Sequence, residues 1–503
     1  MIKKITAALL LACLLLSIAA CGNAADTTAD TTPGGANTDG AENTDHVSGS
    51  VSDTEEIDMS RVLEVPEVDY DGYEFTFFTG SHVDTCPYLF TVDNDADSID
   101  QAIERRNAQI EETYGIVITE YREIIEDAVG NGATFRALEK AWNSGDTTYD
   151  AAVGSPYDCC ALAQGGMLVD LRNYGRINLD KAWWDQPAND AFTIYGRTFI
   201  TTGDINYIDD NFTYAIAFNK DMIAVFDLDD PYQLVRDGVW TYDKLYEMSR
   251  AATKLDNVEG YSANDIYGFL GYCDTTWMSF SSIGAHIAKI NDDGELELTM
   301  SSERNFDLIR EWTEFGQSEA FVNWQTEDAA TKVGWKKIFS SDQALFFGAT
   351  VDGIYKLRDT DLDYGYLPWP KYDENQEGYH SGMAPNHISL FCIPDVGDDA
   401  HVERNSILIE AMSAGSDIIM EGFYKKNLEG KSVRDEESYE TLEIIFADKV
   451  FDLGYYYGVG QLRLSMLFRF RDGLTTMASI YAEREISAKF EIADINKLYK
   501  KYE

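Results

Sequence analysis

From about residue 68 onward, the apolar residues follow two spacings in turn, one typical of strands and one typical of helices. Strand-like apolar runs occur at 73–78, 116–118 and 149–153. Between them, 99–110 and 134–143 carry apolar residues at helical spacing, and a glycine follows each helical pattern. This order of strands and helices is typical of a parallel sheet covered by helices. Ligands of such sheets bind at the carboxyl ends of the strands.

A second block of similar character begins near residue 196. The run 214–218 is a predicted strand, and 267–270 is a shorter one. Helical periods cover 303–316 and 328–340, and they return in roughly the last 45 residues. The chain is therefore predicted to be an α/β protein, and it is long enough for two domains of ordinary size.

The N-terminal pattern is different and predicts export. Two lysines precede an apolar run at 7–16, and small residues then lead to Cys21. This run is too short to span a bilayer as a helix, so we predict a signal peptide over 1–20. The four residues ending at Cys21, Ile-Ala-Ala-Cys, resemble a bacterial lipobox. The resemblance implies that Cys21 is lipidated.

The segment after the lipobox, 21–65, contains few large apolar side chains. Such a composition cannot offset the entropy of ordering, so a disordered acidic tether is predicted. The lipidated protein would then lie at the cell surface, anchored to the outer face of the cytoplasmic membrane.

The charge balance narrows the range of partners. The chain has 40 Lys and Arg against 88 Asp and Glu, a net charge of −48. Phosphates would be repelled, which argues against nucleic acid and against anionic lipid headgroups. The preferred interpretation is a solvated acidic surface, and steering of cationic ligands is the alternative.

The seven cysteines do not form a disulfide framework. Cys13 would leave with the signal peptide and Cys21 would be lipidated, so an odd number remains. A strained bridge between Cys159 and Cys160 is conceivable, but two buried thiols at the start of a helix are preferred.

Enzyme signatures are absent from the sequence. The six histidines form no HExxH motif or close cluster, and no Gly-x-Ser-x-Gly, P-loop or Rossmann fingerprint occurs. Asp93, Asp95, Asp97 and Glu104 have the spacing of a calcium loop, but Ser98 stands where the turn needs glycine. We predict no enzyme, no cofactor and no metal. A secreted glycosidase stays open as an alternative, because 88 acidic residues offer many carboxylate pairs.

Several motifs together resemble the bacterial extracellular solute-binding proteins of family 1, the sugar-binding lipoproteins of ABC importers. One departure is Ser341-Asp342-Gln343-Ala344, where the family often has Gly-Lys-Ala-Ala. The resemblance covers about 70–500, and its motifs occur at Tyr114–Ile118, Ser144–Asp150, Ala182–Gln186, Gly203–Asn206, Ala217–Ile223, Trp240–Leu245, Phe339–Gly348 and Tyr364–Pro368.

The resemblance implies a two-lobed clamp like that of periplasmic binding proteins, with a mixed or parallel sheet flanked by helices in each lobe. Lobe one would comprise 66–203 and 364–420, and lobe two 204–363 and 421–503. The implied function is capture of a carbohydrate, an oligosaccharide in the first place, and delivery to permease subunits of an ABC transporter. A monomer is expected. A surface lipoprotein that senses a ligand without transport is a further alternative.

Sugar binding needs flat aromatic faces and planar polar groups that bond hydroxyls. Trp183 and Trp184 are candidates because two adjacent rings do not both enter a core comfortably. Trp277, which heads a helix, and Trp369, between two prolines, are candidates for which core packing and rigid hinge structure are the plainer explanations. The remaining candidates lie near predicted strand ends or the implied crossing between lobes: Gly80, Ser155, Asp204, Asn206, Tyr207, Asp352 and Tyr355.

Overall fold

The structure is a computed structural model that describes residues 65–81, 89–92, 98–124, 132–256, 260–326, 328–424 and 432–501. The predicted signal peptide, Cys21 and the predicted tether up to residue 64 lie outside these ranges. Across the described ranges, no helix is long and apolar enough to cross a membrane.

Thirteen strands are described. They are β1 (Tyr73–Ser81), β2 (Ile116–Ile124), β3 (Ala151–Gly154), β4 (Tyr214–Asn219), β5 (Tyr267–Gly271), β6 (Ala288–Ile290), β7 (Leu296–Leu298), β8 (Phe321–Asn323), β9 (Ala344–Thr350), β10 (Tyr364–Leu367), β11 (Ser381–Gly382), β12 (Leu390–Cys392) and β13 (Lys449–Val450).

Helices follow or flank these strands throughout the described ranges. They are α1 (Ser98–Tyr114), α2 (Ala133–Ser144), α3 (Pro156–Gly165), α4 (Gln186–Phe192), α5 (Ile208–Asn211), α6 (Lys220–Val225), α7 (Pro231–Arg236), α8 (Tyr242–Ala252), α9 (Thr275–Ser282), α10 (Glu303–Gly316), α11 (Asp328–Val333), α12 (Trp335–Phe339), α13 (Val351–Tyr355), α14 (Asp399–Ala414), α15 (Asp417–Glu421), α16 (Glu436–Ala447), α17 (Leu453–Tyr456), α18 (Leu462–Arg471) and α19 (Met477–Lys500).

The first sheet has the order β12-β3-β1-β2. β1 runs parallel to both β2 and β3, with Phe78 opposite Tyr121 on one side and Ala152 on the other. β12 joins antiparallel to β3. All four residues of β3 are buried, as expected for a strand covered on both faces. The predicted parallel sheet is confirmed.

The second sheet has the order β10-β4-β9-β5-β8 and mixes parallel and antiparallel pairs. β5 is parallel to β8 and β9, whereas β4 is antiparallel to β9. β10 pairs with β4 and is covered by α16, whose Thr441 hydroxyl donates to the Tyr366 carbonyl at 2.7 Å. The border predicted between 363 and 364 would have assigned β10 to lobe one, but its strand partner lies in the second sheet.

Two segments cross side by side between the sheets. Thr201 bridges to Phe391 beside the first sheet, and Thr213 bridges to Met383 beside the second. Between these bridges, the Asn206 side-chain amide donates to the Ser389 carbonyl at 2.8 Å. The crossing from the second sheet back to the first therefore lies at 383–391, later in the chain than β10.

The core of the second lobe is rich in aromatic side chains. Trp312 is completely buried on α10. Its ring lies 5.4 Å from the rings of Phe269, Phe315 and Trp369, measured between centroids. The contacts with Phe269 and Trp369 are edge-to-face, an arrangement that stabilises a core beyond the area it buries.

The described cysteines are free thiols. Cys159 and Cys160 are buried in the first turns of α3, as the preferred interpretation of the sequence expected. The Cys159 sulfur faces Cys392 on β12 at 4.0 Å rather than its chain neighbour.

Candidate functional site

The carboxyl ends of strands from both sheets converge on one group of aromatic and charged side chains. β3 of the first sheet leads into α3, and β5 and β8 of the second sheet end nearby in the fold. We call this group the cleft cluster, and it consists of Tyr157, Tyr272, Asp274, Trp277, Trp324, Tyr455 and Arg463.

The first lobe contributes Tyr157 through the start of α3. Ser155 caps this helix by accepting a hydrogen bond from the Asp158 amide at 3.2 Å, and Pro156 occupies the first helical position. The next residue is therefore held in the first turn. The Tyr157 hydroxyl donates to the Asn386 side chain, in the crossing segment, at 2.9 Å.

Arg463 on α18 joins ring faces from two parts of the chain. Its guanidinium carbon lies 4.3 Å from the ring centre of Tyr157 and 5.1 Å from that of Tyr455. The side chain is 8% exposed. Burial raises the pKa of Tyr157 and of Tyr455, so both phenols stay neutral at physiological pH. A planar cation with several N–H donors is thus fixed between two lobes.

Asp274 places a carboxylate at the end of the second sheet. It precedes α9, but its side chain does not cap that helix, and within the described ranges its carboxylate oxygens accept no hydrogen bond and form no ion pair. Burial raises its pKa to about 6. The carboxyl is neutral below about pH 6 and ionised above it. At neutral pH it is an anionic acceptor with its oxygens still available to a ligand.

Two aromatic pairs flank this carboxylate. The rings of Trp277 and Tyr455 are 4.3 Å apart between centroids, and both side chains are buried. The rings of Tyr272 and Trp324 are 5.6 Å apart, and both are half-buried. The first pair is closed to solvent, and the second keeps part of its ring surface accessible.

Among the residues predicted from the sequence, Trp277 joins the cleft cluster directly. Ser155 caps the helix that carries Tyr157. Gly80 has a packing reason for its small size, because a Cβ atom there would lie 2.0 Å from the Thr134 hydroxyl on α2.

Trp183 and Trp184 are both buried, with 6% and 1% exposure. Both adjacent rings therefore enter the interior, contrary to the expectation that they would not, and their contact with a ligand stays a prediction. The Trp184 indole donates to Glu410 on α14 at 3.1 Å, and its ring lies 5.8 Å from Phe391. The Lys181 amine covers the ring of Trp183 at 5.7 Å. The pair therefore packs where lobe one meets the crossing segments.

The three predicted residues of the first crossing segment also serve local structure. Asn206 is bonded across to the second crossing, and the Tyr207 ring packs 5.7 Å from Phe423. The Asp204 amide donates to the Trp183 carbonyl at 2.9 Å. Their direct contact with a ligand stays a prediction.

The remaining predicted residues lie elsewhere in the second lobe. On α13, Asp352 pairs with Lys356 at 2.6 Å, and the Tyr355 ring lies 4.1 Å from the Arg358 guanidinium. No contact is described between either residue and the cleft cluster. Trp369 is fully buried against Trp312, which agrees with its plainer explanation as rigid structure.

Sequence reasoning missed six members of the cleft cluster: Tyr157, Tyr272, Asp274, Trp324, Tyr455 and Arg463. The strand-end rule, applied to the predicted strand at 267–270, would have found Tyr272 and Asp274. No local pattern pointed to Arg463.

The geometry defines a two-lobed α/β protein in which the cleft cluster joins aromatic and charged side chains of both lobes. The fold is similar to that of an ABC substrate-binding protein of Listeria monocytogenes solved with cycloalternan, at 16% identity over 86% of this chain and 100% of that one, with a TM-score of 0.52. UspC of M. tuberculosis is 14% identical over 83% of this chain and 100% of that one, with a TM-score of 0.54. A cyclo/maltodextrin-binding protein solved with maltotetraose is 13% identical over 86% of this chain and 98% of that one, with a TM-score of 0.53.

These likenesses show that the chain has the two-lobed fold of ABC solute-binding proteins, and they confirm the fold that the motifs predicted. No family model matches the chain, and no curated protein matches it.

Proposed function

We propose that the protein is the substrate-binding component of an ABC importer, and that it captures a carbohydrate, in the first place an oligosaccharide, between its lobes for delivery to a permease. The fold supports this role, and two of the similar structures are described with cycloalternan and maltotetraose. The observation that carries the proposal is the chemistry of the cleft cluster.

A carbohydrate presents apolar C–H faces and hydroxyls that both donate and accept. Tyr272 and Trp324 supply accessible rings for the faces. Asp274 accepts from hydroxyls and Arg463 donates to them. Side chains of lobe two therefore offer each contact that a sugar ring requires, and Tyr157 adds a ring from lobe one beside Arg463.

Capture needs no covalent step. A ligand that contacts Tyr157 and Asp274 together favours the lobe arrangement in which both can reach it, by its difference in affinity for the two arrangements. The cleft cluster contains one carboxylate, whereas glycosidic cleavage uses a pair.

We place lobe one at 66–203 with 392–420, and lobe two at 214–382 with 432–501.

A thermal-shift screen with malto-oligosaccharides, cyclic glucans, pentose oligomers, polyamines and peptides tests the proposal. At least one carbohydrate is expected to raise the melting temperature in proportion to the logarithm of its concentration, because it binds only the folded state. Reducing ends are assayed in the same samples.

Release of reducing ends would identify a glycosidase instead. A shift with peptides or polyamines alone would show that the ligand class is wrong. A sensor would bind the same sugar, so growth on that sugar after deletion of the gene separates transport from sensing.

We further propose that Cys21 is lipidated and anchors the protein to the membrane. Two acyl chains contribute about 0.8 kcal/mol per buried methylene, which makes the anchor stable. Cells that express the full chain are expected to retain it in the membrane fraction and to incorporate labelled palmitate. With Cys21→Ser, most of the protein should move to the soluble fraction without label. Equal membrane retention of this variant would exclude the lipid anchor.

A further inference from the structure

A buried lysine is surrounded by three aspartates where the lobes are joined. The Lys449 ammonium lies 2.8 Å from Asp185, 2.9 Å from Asp209 and 2.7 Å from Asp210. The Tyr424 hydroxyl donates to Asp210 at 2.5 Å. We call these five residues the hinge cluster. The lysine and the three aspartates are each at most 10% exposed at the side chain.

The members come from both lobes and from the crossing between them. Asp185 caps α4 by accepting from the Ala188 amide at 2.8 Å, and its own amide donates to the Thr202 carbonyl of the first lobe. Asp209 and Asp210 lie on α5, inside the first crossing segment. Lys449 lies on β13, which pairs with β11 at the second lobe. The Lys449 ammonium, on β13 at the second lobe, therefore contacts carboxylates of the first lobe and of the first crossing segment.

The charges of the hinge cluster do not balance. Three carboxylates face one ammonium, and a buried uncompensated charge is costly. The Thr202 hydroxyl donates to Asp209 at 3.2 Å. Burial nevertheless raises the pKa of Asp209 to about 7. Burial lowers the pKa of Lys449, but the surrounding aspartates raise it well above its usual value, so the ammonium stays charged.

Other ionisable groups near β13 are already paired or stay neutral. Asp448, the chain neighbour of Lys449, pairs with His380 at 2.8 Å. Burial raises the pKa of Tyr424 well above its usual value, so this phenol keeps its proton. Within the hinge cluster, burial raises the pKa of Asp209 into the neutral range.

We propose that Lys449 is a positioning residue that holds the lobes in the arrangement described here, and that this bridged arrangement takes up a proton on the hinge cluster. The equilibrium between lobe arrangements then responds to pH between about 6 and 8. The consequence for ligand capture rests on the proposed function, because only a clamp uses lobe movement to hold a ligand.

The direction of the pH effect follows from burial. When the lobes separate, water reaches Asp209 and its pKa falls toward the usual value near 4. The bridged arrangement binds the proton more tightly, so lowering the pH from 8 to 6 favours it. One linked proton changes the equilibrium by up to about tenfold per pH unit.

Single-molecule FRET on the ligand-free full chain tests the inference. Dyes are placed at V117C on β2 and V225C at the end of α6, which are 50% and 73% exposed, and the half-buried Cys273 is replaced by serine. The bridged population is expected to rise as the pH falls from 8 to 6. K449M should lower the ratio of bridged to separated molecules at pH 8 by at least about tenfold, and lowering the pH to 6 should restore the bridged population.

K449R, which keeps the charge, should retain the bridged population, and D209N should remove most of the pH dependence. If these variants change the melting temperature but not the FRET distribution at any pH, Lys449 only stabilises the fold and the inference is wrong. The readout needs no ligand. A normal FRET response without any carbohydrate shift in the thermal screen would refute the proposed function and leave the hinge inference standing.

Discussion

Replacing Arg463 with alanine is expected to weaken carbohydrate binding by about 100-fold, measured by calorimetry with the sugar that gives the largest thermal shift. The guanidinium is buried between the rings of Tyr157 and Tyr455 and supplies N–H donors to the cleft. Its removal loses those donors and leaves the faces of Tyr157 and Tyr455 without the cation between them. A loss of about 2–3 kcal/mol is usual for truncating such a group.

Two variants control this measurement. Arg484 is exposed on α19, so R484A should bind within about twofold of the natural protein. R463K keeps the charge but loses the planar fork, so its affinity should lie between the two. Unchanged binding in R463A, with a melting temperature that shows a folded protein, would place the ligand outside the cleft cluster.

Replacing Trp312 with alanine is expected to lower the free energy of unfolding by about 3–5 kcal/mol. The side chain is completely buried, and its ring contacts Phe269, Phe315 and Trp369. The substitution removes a large apolar surface and leaves a cavity that rigid aromatic neighbours cannot fill. Urea unfolding followed by circular dichroism gives the change.

Trp142 provides a matched control, because it is 40% exposed on α2 of the other lobe. W142A is expected to change the free energy of unfolding by less than about 0.5 kcal/mol. If the two variants lose equal stability, the aromatic contacts around Trp312 do not stabilise the second lobe as described.

The first sheet was readable from the sequence because its signals are local. The predicted strands at 73–78 and 116–118 lie within β1 and β2, and the helix predicted at 134–143 lies within α2. The period at 303–316 matches α10. The period at 328–340 is divided into α11 and α12 at Gly334, whose positive φ of 83° interrupts a helix.

The second sheet was harder to read because its strands are short and distant in the chain. β8 has three residues, too few for a clear period. β10 appeared to follow a lobe border, but hydrogen bonds to β4 place it in the second sheet. Strand partners of this kind are chosen by packing and are not encoded within the strand itself.

At the candidate site too, residue types were predictable from the sequence, whereas contacts between residues far apart in the chain were not. Residue type predicted aromatic and planar polar groups at the ligand site, and of the predicted residues Trp277 lies in the cleft cluster. Local pattern did not show which of the nine tryptophans and 30 tyrosines lie at the candidate site. Burial of both Trp183 and Trp184 was not evident from the sequence, because Glu410, far away in the chain, accepts the Trp184 indole in the interior.

By itself, the sequence determined the alternation of strands and helices in the first lobe, the acidic charge and the resemblance to a sugar-binding clamp, because each depends on neighbouring residues or on composition. Only the packed fold brings together the side chains of the cleft cluster and those of the hinge cluster. Tyr157, Asp274 and Arg463 come together only when two sheets and the C-terminal helices pack. The same packing surrounds Lys449 with Asp185, Asp209 and Asp210, since burial and charge are properties of the assembled fold.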